Sequence, residues 1–490
     1  MTTPELPIPV VVHDSRIVEQ SPGVLHQSGS CGWTREDRGS VRLHADPAGV
    51  EPLAWRTIDR SLHLARYPAT LARLEPRASL DLETLRVIAR VEYPIGLASC
   101  FTGVRRLPPG TDVRIDPGGS EGESHKWWRF PPEPAKSSPV DLWRALVDQC
   151  AALMERSGDC AIFLSGGLDS AAVAAAAATA ARERDLAPPL LLSVVYPGLK
   201  CDESPSQQLV ADHLMLQLVQ LDATRLEIWP AARDAIRQQG IPTADSQAAA
   251  TSRLLAVARE QGRRLVLVGL GGDALFAGDG AELELYRRGK LRTAYRFFRD
   301  WGVAGGLPAR VVWYRRGFRR YLVTRPFGTR AEIRSAGTAN RSGLRRALEH
   351  PAHGWRTELI ERTVGEPALT VGCPLYGKVF LDSFAQVRTL DLTVGPGYKG
   401  LLRSIVRPYL PSAVVNRERK ANFHDFFRSW SPQQREALAD EYLSLRPGVP
   451  GTLGLPATIR PLLTAPDFPA GLLSAWFSLC LAEFYSAWQV

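Results

Sequence analysis

Two short segments of this chain combine glycine, hydroxyl and carboxylate groups in a pattern suited to phosphate chemistry. The first, FLSGGLDS from Phe163 to Ser170, lies between an apolar run, Cys160 to Leu164, and an alanine-rich stretch, Ser170 to Ala181, of high helix propensity. Gly166 and Gly167 permit a tight turn that brings backbone N–H groups against oxygen anions. Ser165 and Ser170 add hydroxyl donors, and a helix starting there adds the positive end of its dipole. Asp169 would repel phosphate unless a divalent cation bridged the two, as Mg²⁺ does when held by one or two carboxylates plus phosphate oxygens. The alternative, a purely structural strand-to-helix turn, leaves an aspartate inside a double-glycine turn without a purpose. The loop lacks the lysine of a Walker-type phosphate loop, so that NTPase class is not indicated. The second segment, VLVGLGGDALFAG from Val266 to Gly278, again sets an aspartate, Asp273, on a glycine turn after an apolar run. Taken alone it is equally compatible with a structural turn. Taken with the first, it makes Asp169 and Asp273 candidate ligands of one Mg²⁺.

The elements that must position these residues alternate. Cys160 to Leu164, Pro189 to Tyr196 and Arg264 to Gly269 read as buried strands, while Ser170 to Ala181 and Ser204 to Met215 read as helices. Such alternation predicts an α/β domain with a doubly wound parallel sheet, which binds ligands beyond the carboxyl ends of its strands. Upstream, short apolar runs at Val10 to Val12, Val41 to Leu43, Leu62 to Leu64 and Val113 to Ile115 alternate with turn signals and predict a β-rich domain. Between the two, Asp116 to Val140 carries GGSEGES and then PPEPAKSSP, a composition that predicts a loop and then a linker. The 490 residues are too many for one ordinary core. We place the boundary near Lys136, giving domains 1–136 and 137–490.

SGGLDS resembles the pyrophosphate-binding loop of the ATP pyrophosphatases, which cleave ATP between its α and β phosphates and release the substrate as an adenylate. Both segments together resemble asparagine synthetases and their relatives, the β-lactam synthetases and the lasso-peptide macrolactam cyclases. Further residues come in that family's order: Asp202-Glu203 after the second strand, Tyr398-Lys399-Gly400-Leu401-Leu402-Arg403, Leu410-Pro411, then Arg417-Glu418-Arg419-Lys420 and Phe423. In the N-terminal half, Asp46-Pro47-Ala48-Gly49 with Pro52-Leu53, and GVRRLPPG from Gly103 to Gly110, match the family's amidohydrolase-like domain. The resemblance covers most of the chain; the first loop is specific and the other motifs are individually soft.

The resemblance implies an N-terminal amidohydrolase-like domain of the Ntn type, with αββα layers, ahead of an ATP-pyrophosphatase synthetase domain. It implies ATP and Mg²⁺ as cofactors. Leu164, Ser165, Gly166, Gly167, Asp169, Ser170, Val194, Val268 and Gly269 would then surround the nucleotide. Leu164 and Val194 would pack adenine, and Val268 and Gly269 would offer backbone groups to its edge. Asp169 and Asp273 would bind the metal and serve catalysis, and Lys420 would neutralise charge developing on the pyrophosphate and acyl-phosphate oxygens. Plain core roles for Leu164 and Val194, and a solvated basic run for Lys420, are the structural alternatives.

Two departures bear on the substrate. Glutamine-dependent members begin their mature chain with cysteine, whereas this sequence begins Met1-Thr2-Thr3; Cys31-Gly32 would need removal of everything before it. Glutaminase activity is therefore expected to be absent. Asparagine synthetases carry acidic residues where this chain has Leu270 and Ala274, which weakens asparagine synthesis as the reaction. An enzyme joining an internal amine to an internal carboxylate fits both departures. Among relatives the lasso-peptide cyclases fit first and the β-lactam synthetases second. The expected partners are a precursor peptide and, in the same pathway, a leader-binding protein and a protease.

The formal net charge of +9 favours an acidic partner without choosing one. A basic region from Arg287 to Arg330, including Arg315, Arg316, Arg319 and Arg320 with Tyr295, Phe297, Phe298, Trp301, Trp313 and Tyr314 interleaved, could dock RNA, which would suit a tRNA-modifying ATP pyrophosphatase. It could equally grip an acidic peptide or form a solvated helix face. The amidohydrolase-like N-terminal half and the lack of a CxxC pair disfavour the nucleic-acid reading. His350 and His353 lack evident further ligands for a metal. Seven dispersed cysteines argue against a disulfide framework, and a reducing cytosol is the expected compartment. Gly471 to Trp488 is apolar but contains Glu483 and is short for a span, so a buried terminal helix is expected rather than a membrane anchor.

Overall fold

The computed structural model describes residues 10–13, 16–19, 32–36, 39–75, 79–90, 97–116, 119–130, 138–240, 242, 247–278, 285, 289–304, 369–395, 397–418, 424–445, 448–465 and 468–488. The N-terminal region is built of two antiparallel sheets. One takes the order β2-β1-β6-β5-β7, from strands β1 (Val10–His13), β2 (Arg16–Glu19), β5 (Ala54–Ile58), β6 (Ser61–Ala65) and β7 (Arg105–Arg106). The other takes the order β3-β4-β8-β9, from β3 (Gly32–Arg35), β4 (Val41–His44), β8 (Thr111–Ile115) and β9 (Glu121–Lys126). Alternation along these strands turns Val41, Leu43, Val113 and Ile115 toward Trp55, Leu62 and Leu64 in one buried cluster. The GGSEGES stretch departs from the expected loop. Gly119 makes a turn and Glu121–Lys126 pairs with β8 as an edge strand. Its side chains face solvent, so polar composition hid a strand whose backbone partners come from a neighbour.

Residues 131–137, which include Lys136, lie outside the described residues. After the short helices α1 (Pro68–Ala72) and α2 (Leu82–Ala89), helix α3 (Pro139–Ser157) opens with a capping box, Ser138 accepting from the Asp141 N–H while the Asp141 carboxylate accepts from the Ser138 N–H. Beyond α3 the chain builds a five-stranded parallel sheet in the order β12-β11-β10-β13-β14. Its strands are β10 (Cys160–Phe163), β11 (Leu190–Val195), β12 (Leu218–Asp222), β13 (Leu265–Val268) and β14 (Thr370–Gly372). All four pairings are parallel. The connecting helices include α4 (Leu168–Arg184), α5 (Ser204–Leu214), α6 (Ile228–Gln239) and α7 (Ala248–Glu260). The continuous apolar runs of β10 and β13 exist because helices cover both faces. Helix α4 is buried from Ala171 to Ala178; its small side chains let it pack against α3 and the strands at once. Chain order runs outward from β10 to β12 and then jumps back to β13. The topological switch therefore falls between β10 and β13, where this architecture opens its ligand crevice.

The last helix, Phe468–Trp488, is a core element. Phe484 and Trp488 pack against Phe101 of the N-terminal region, and the buried Glu483 pairs with Arg237 of α6. Among the described residues no helix is long and apolar enough to cross a membrane. The six described cysteines are buried.

Candidate active site

The turn after β10 folds on its own hydroxyls. The Ser165 N–H donates to Ser170 Oγ at 3.1 Å, the two hydroxyls lie 2.9 Å apart, and the Gly167 N–H donates to Ser165 Oγ at 3.2 Å. Gly166 sits at φ +85°, and a Cβ there would come within 2.8 Å of Glu203 Cβ, so only glycine fits. Gly167 is the N-cap of α4 without a side-chain cap bond, so this 17-residue helix presents its N-terminus uncapped by a side chain.

The turn after β13 leads into the short helix α8 (Gly272–Phe276), which carries Asp273 in its first turn. A Cβ on Gly272 would fall 2.1 Å from Asp169 Cγ. That glycine is what lets the Asp169 carboxylate lie against the second turn. The two aspartates meet on a third residue. Lys399 Nζ lies 2.5 Å from Asp169 Oδ2, 2.7 Å from Asp169 Oδ1 and 2.7 Å from Asp273 Oδ1. Tyr398 adds a hydrogen bond from its hydroxyl to Asp273 Oδ1 at 3.1 Å.

Lys399 occupies the left-handed region, φ +60°, just before the helix Gly400–Val406. Buried Arg403 shapes that approach. It donates from Nε to the Tyr398 carbonyl at 2.7 Å, from Nη2 to the Arg417 carbonyl at 2.8 Å, and from Nη1 to the Val415 carbonyl. Arg417 reaches the other turn, 2.6 Å from Glu203 and 3.3 Å from the Gly166 carbonyl. Beside Lys399 a cavity of about 420 Å³ opens between residues 392–399 and the helix Leu291–Ala304, with Arg296, Arg299 and Asp300 on its wall.

The candidate nucleotide residues gather at the same strand tips but differ in exposure. Leu164 is buried in the core and its N–H donates to the Leu192 carbonyl, whereas Val194 is partly exposed. Val268 is buried, and Gly269 packs on Ser170, where a Cβ would come within 2.7 Å of the Ser170 nitrogen. Asp202 acts as a local brace, accepting from the Tyr196 N–H at 2.9 Å and the Ser204 hydroxyl at 2.5 Å. Burial pushes the Cys160 thiol up to about 12 and the Cys150 thiol also upward, so neither is a nucleophile at neutral pH. Lys420, Cys31, His350, His353 and the arginines from Arg315 to Arg320 lie outside the described residues. Sequence reasoning places Lys399 in a family motif but assigns it no role. Its signal there is the spacing of Lys399, Leu402 and Arg403, which says nothing of the partner found in space.

These residues fit a metal-bound triphosphate. Two hard carboxylate donors come within reach of one ammonium, beside a helix N-terminus. No cluster of three or more His, Cys, Asp or Glu able to hold a metal occurs among the described residues. An ion on Asp169 and Asp273 would therefore complete its shell with phosphate oxygens and water.

The asparagine synthase family model matches residues 141–467, more than half of the chain. The chain belongs to the asparagine synthase family. Membership brings ATP-dependent amide formation as its chemistry, and with it the identity of an ATP-dependent ligase. Asparagine synthase family members use ATP, typically with Mg²⁺. No curated protein matches the chain. Among solved structures, the U34-tRNA thiolase NcsA from Methanococcus maripaludis with its 4Fe-4S cluster is similar at 13% identity, covering 46% of this chain and 78% of its own, with a TM-score of 0.21. A score that low carries no argument.

Proposed function

We propose that this member of the asparagine synthase family adenylates an Asp or Glu side chain of a ribosomal precursor peptide and closes a macrolactam with an amine of the same peptide. The observation that carries the reading is the meeting of Asp169 and Asp273 on Lys399, at the tips of neighbouring strands β10 and β13. Mg²⁺ held there with ATP would screen the phosphate oxygens and favour departure of pyrophosphate. The carboxylate attacks the α phosphorus, pyrophosphate leaves, and the amine then attacks the acyl carbon, expelling AMP and losing one proton. The chain's own part is to align and enclose. The α4 N-terminus and the Ser165 and Ser170 hydroxyls face the phosphates. Lys399 and Lys420 supply positive charge, and the 420 Å³ cavity, with Arg296 and Arg299 on its wall, receives the acidic side chain. Leu270 and Ala274, packed against the core, stand where asparagine synthetases carry carboxylates, which weighs against free aspartate as the acyl donor. The N-terminal sheets serve as a retained amidohydrolase-like scaffold that docks peptide.

Incubation with ATP, Mg²⁺ and peptides bearing a free α-amine and an internal Asp or Glu tests this. The expected products are AMP, pyrophosphate and a peptide lighter by one water, in equal amounts. Formation of asparagine from aspartate and ammonia, with peptides left untouched, would replace the reading by asparagine synthesis.

A further inference from the structure

We infer that Lys399 is an internal cation that keeps the Asp169–Asp273 pair closed to free divalent metal and releases it only when a polyphosphate arrives to receive the ammonium. This rests on the reading of the cleft as a metal–triphosphate site, and adds the order in which its ions enter.

The Lys399 ammonium touches both oxygens of Asp169 and Oδ1 of Asp273, the same donors a metal would take. Its side chain is only 5% exposed. It is also anchored from behind. The left-handed backbone of Lys399 is disfavoured for a residue with a Cβ, and Arg403 holds the preceding carbonyl that fixes it. Among the described residues the site thus sets two carboxylates against one ammonium.

A divalent ion approaching this arrangement meets the ammonium first. It must either displace Lys399 from two charge partners at once, leaving a buried ammonium unpaired, or sit beside it against like-charge repulsion. Either route weakens metal binding by about tenfold or more relative to the bare carboxylate pair. A polyphosphate changes the balance, because its oxygens can take over the ammonium. The lysine stem is four methylenes long and flexible. The ammonium moves to phosphate oxygens, both carboxylates open, and the metal enters between carboxylates and phosphates. Every charge stays paired throughout, and no bond is made or broken. Metal and nucleotide therefore bind with strong positive coupling, equal in both directions. In this way, the enzyme does not retain magnesium between turnovers.

The test uses Mn²⁺ as the probe, monitored by electron paramagnetic resonance on the full-length chain, with and without α,β-methylene ATP. Wild type should bind Mn²⁺ poorly alone and at least about tenfold more tightly with the nucleotide analogue. Lys399→Met should gain about tenfold or more in affinity for Mn²⁺ without nucleotide, and adding Asp169→Asn should abolish the gain. Lys399→Arg, which keeps the charge, should not show it. A folded Lys399→Met protein that binds free Mn²⁺ no better than wild type overturns the inference. If that variant does not fold, Lys399→Gln decides: a folded Lys399→Gln protein that binds free Mn²⁺ no better than wild type overturns the inference, and a gain of about tenfold supports it. Nucleotide-dependent Mn²⁺ in wild type without a gain in Lys399→Met sinks this inference yet leaves the metal–triphosphate reading standing. Absence of any Asp169-dependent Mn²⁺ with nucleotide sinks both.

Discussion

The two aspartate-bearing turns differ in how they are held. The turn after β10 is fastened from several sides: Ser165 and Ser170 bond each other, Ser206 donates to the Gly166 carbonyl at 3.0 Å, and Arg417 reaches the same carbonyl from the far end of the chain. The Asp169 side chain is 19% exposed. The turn after β13 is short, and Asp273 leans outward with its side chain 54% exposed, tied by Lys399 and Tyr398. One carboxylate is fixed by its scaffold and the other is adjustable. A site that must grip a polyphosphate and then release pyrophosphate is served by such a pair, with the rigid member setting position and the exposed one tracking the ligand.

The comparison is tested first by removing each charge. Asp169→Asn should lower kcat/KM for AMP formation by about 10³-fold, because the fixed carboxylate cannot be replaced by a neighbour. Asp273→Asn should cost less, about 10²-fold, since an exposed donor is more readily replaced by water. Equal losses would remove the asymmetry. Arg417→Ala should raise KM for ATP about tenfold with a smaller fall in kcat, by unfastening Gly166 and leaving Glu203 without its guanidinium. Steady-state kinetics separates the two constants. Tyr398→Phe removes only the hydroxyl on Asp273 and should cost about fivefold in kcat/KM, the worth of one hydrogen bond of about 1 kcal/mol.

A third carboxylate, away from the strand tips, sharpens the contrast by pH. Burial, and next the charge of Glu51, pushes Asp46 up to about 7 from an ordinary 3.8, although the Ala48, Val50 and Glu51 N–H groups oppose the shift. The folded chain therefore keeps a proton that the unfolded chain has released. Stability should fall as pH rises from 3.8 to about 7 and level off above. Asp46→Asn has no such proton, and its melting temperature should vary less across that window. An unchanged slope would show that Asp46 is not the source.

The strand tips were legible in the sequence because β10 and β13 are short uninterrupted apolar runs, β11 is broken only by Ser193, and the glycines of the two aspartate turns begin within three residues of the ends of β10 and β13. The expected helices, Ser170 to Ala181 and Ser204 to Met215, appear as Leu168–Arg184 and Ser204–Leu214 for the same local reasons. What the sequence withheld was set by distant contacts. The Lys399 ammonium reaches Asp169 across 230 positions of chain. Nothing local marks Arg403 as a core residue, yet it is buried and spends its donors on three carbonyls. Strand β9 looked like a loop because its side chains are polar and only β8 completes its backbone bonds.

Asp169 and Asp273 are expected to hold one metal against the phosphates of ATP. A crystal of the chain grown with Mn²⁺ and α,β-methylene ATP, measured at the manganese absorption edge, addresses it directly. One anomalous peak is expected between the two carboxylates, about 2.2 Å from an oxygen of each, with phosphate oxygens completing the shell and Lys399 turned toward them. Nucleotide bound with its metal away from both aspartates, or with Lys399 still closing the pair, would contradict it.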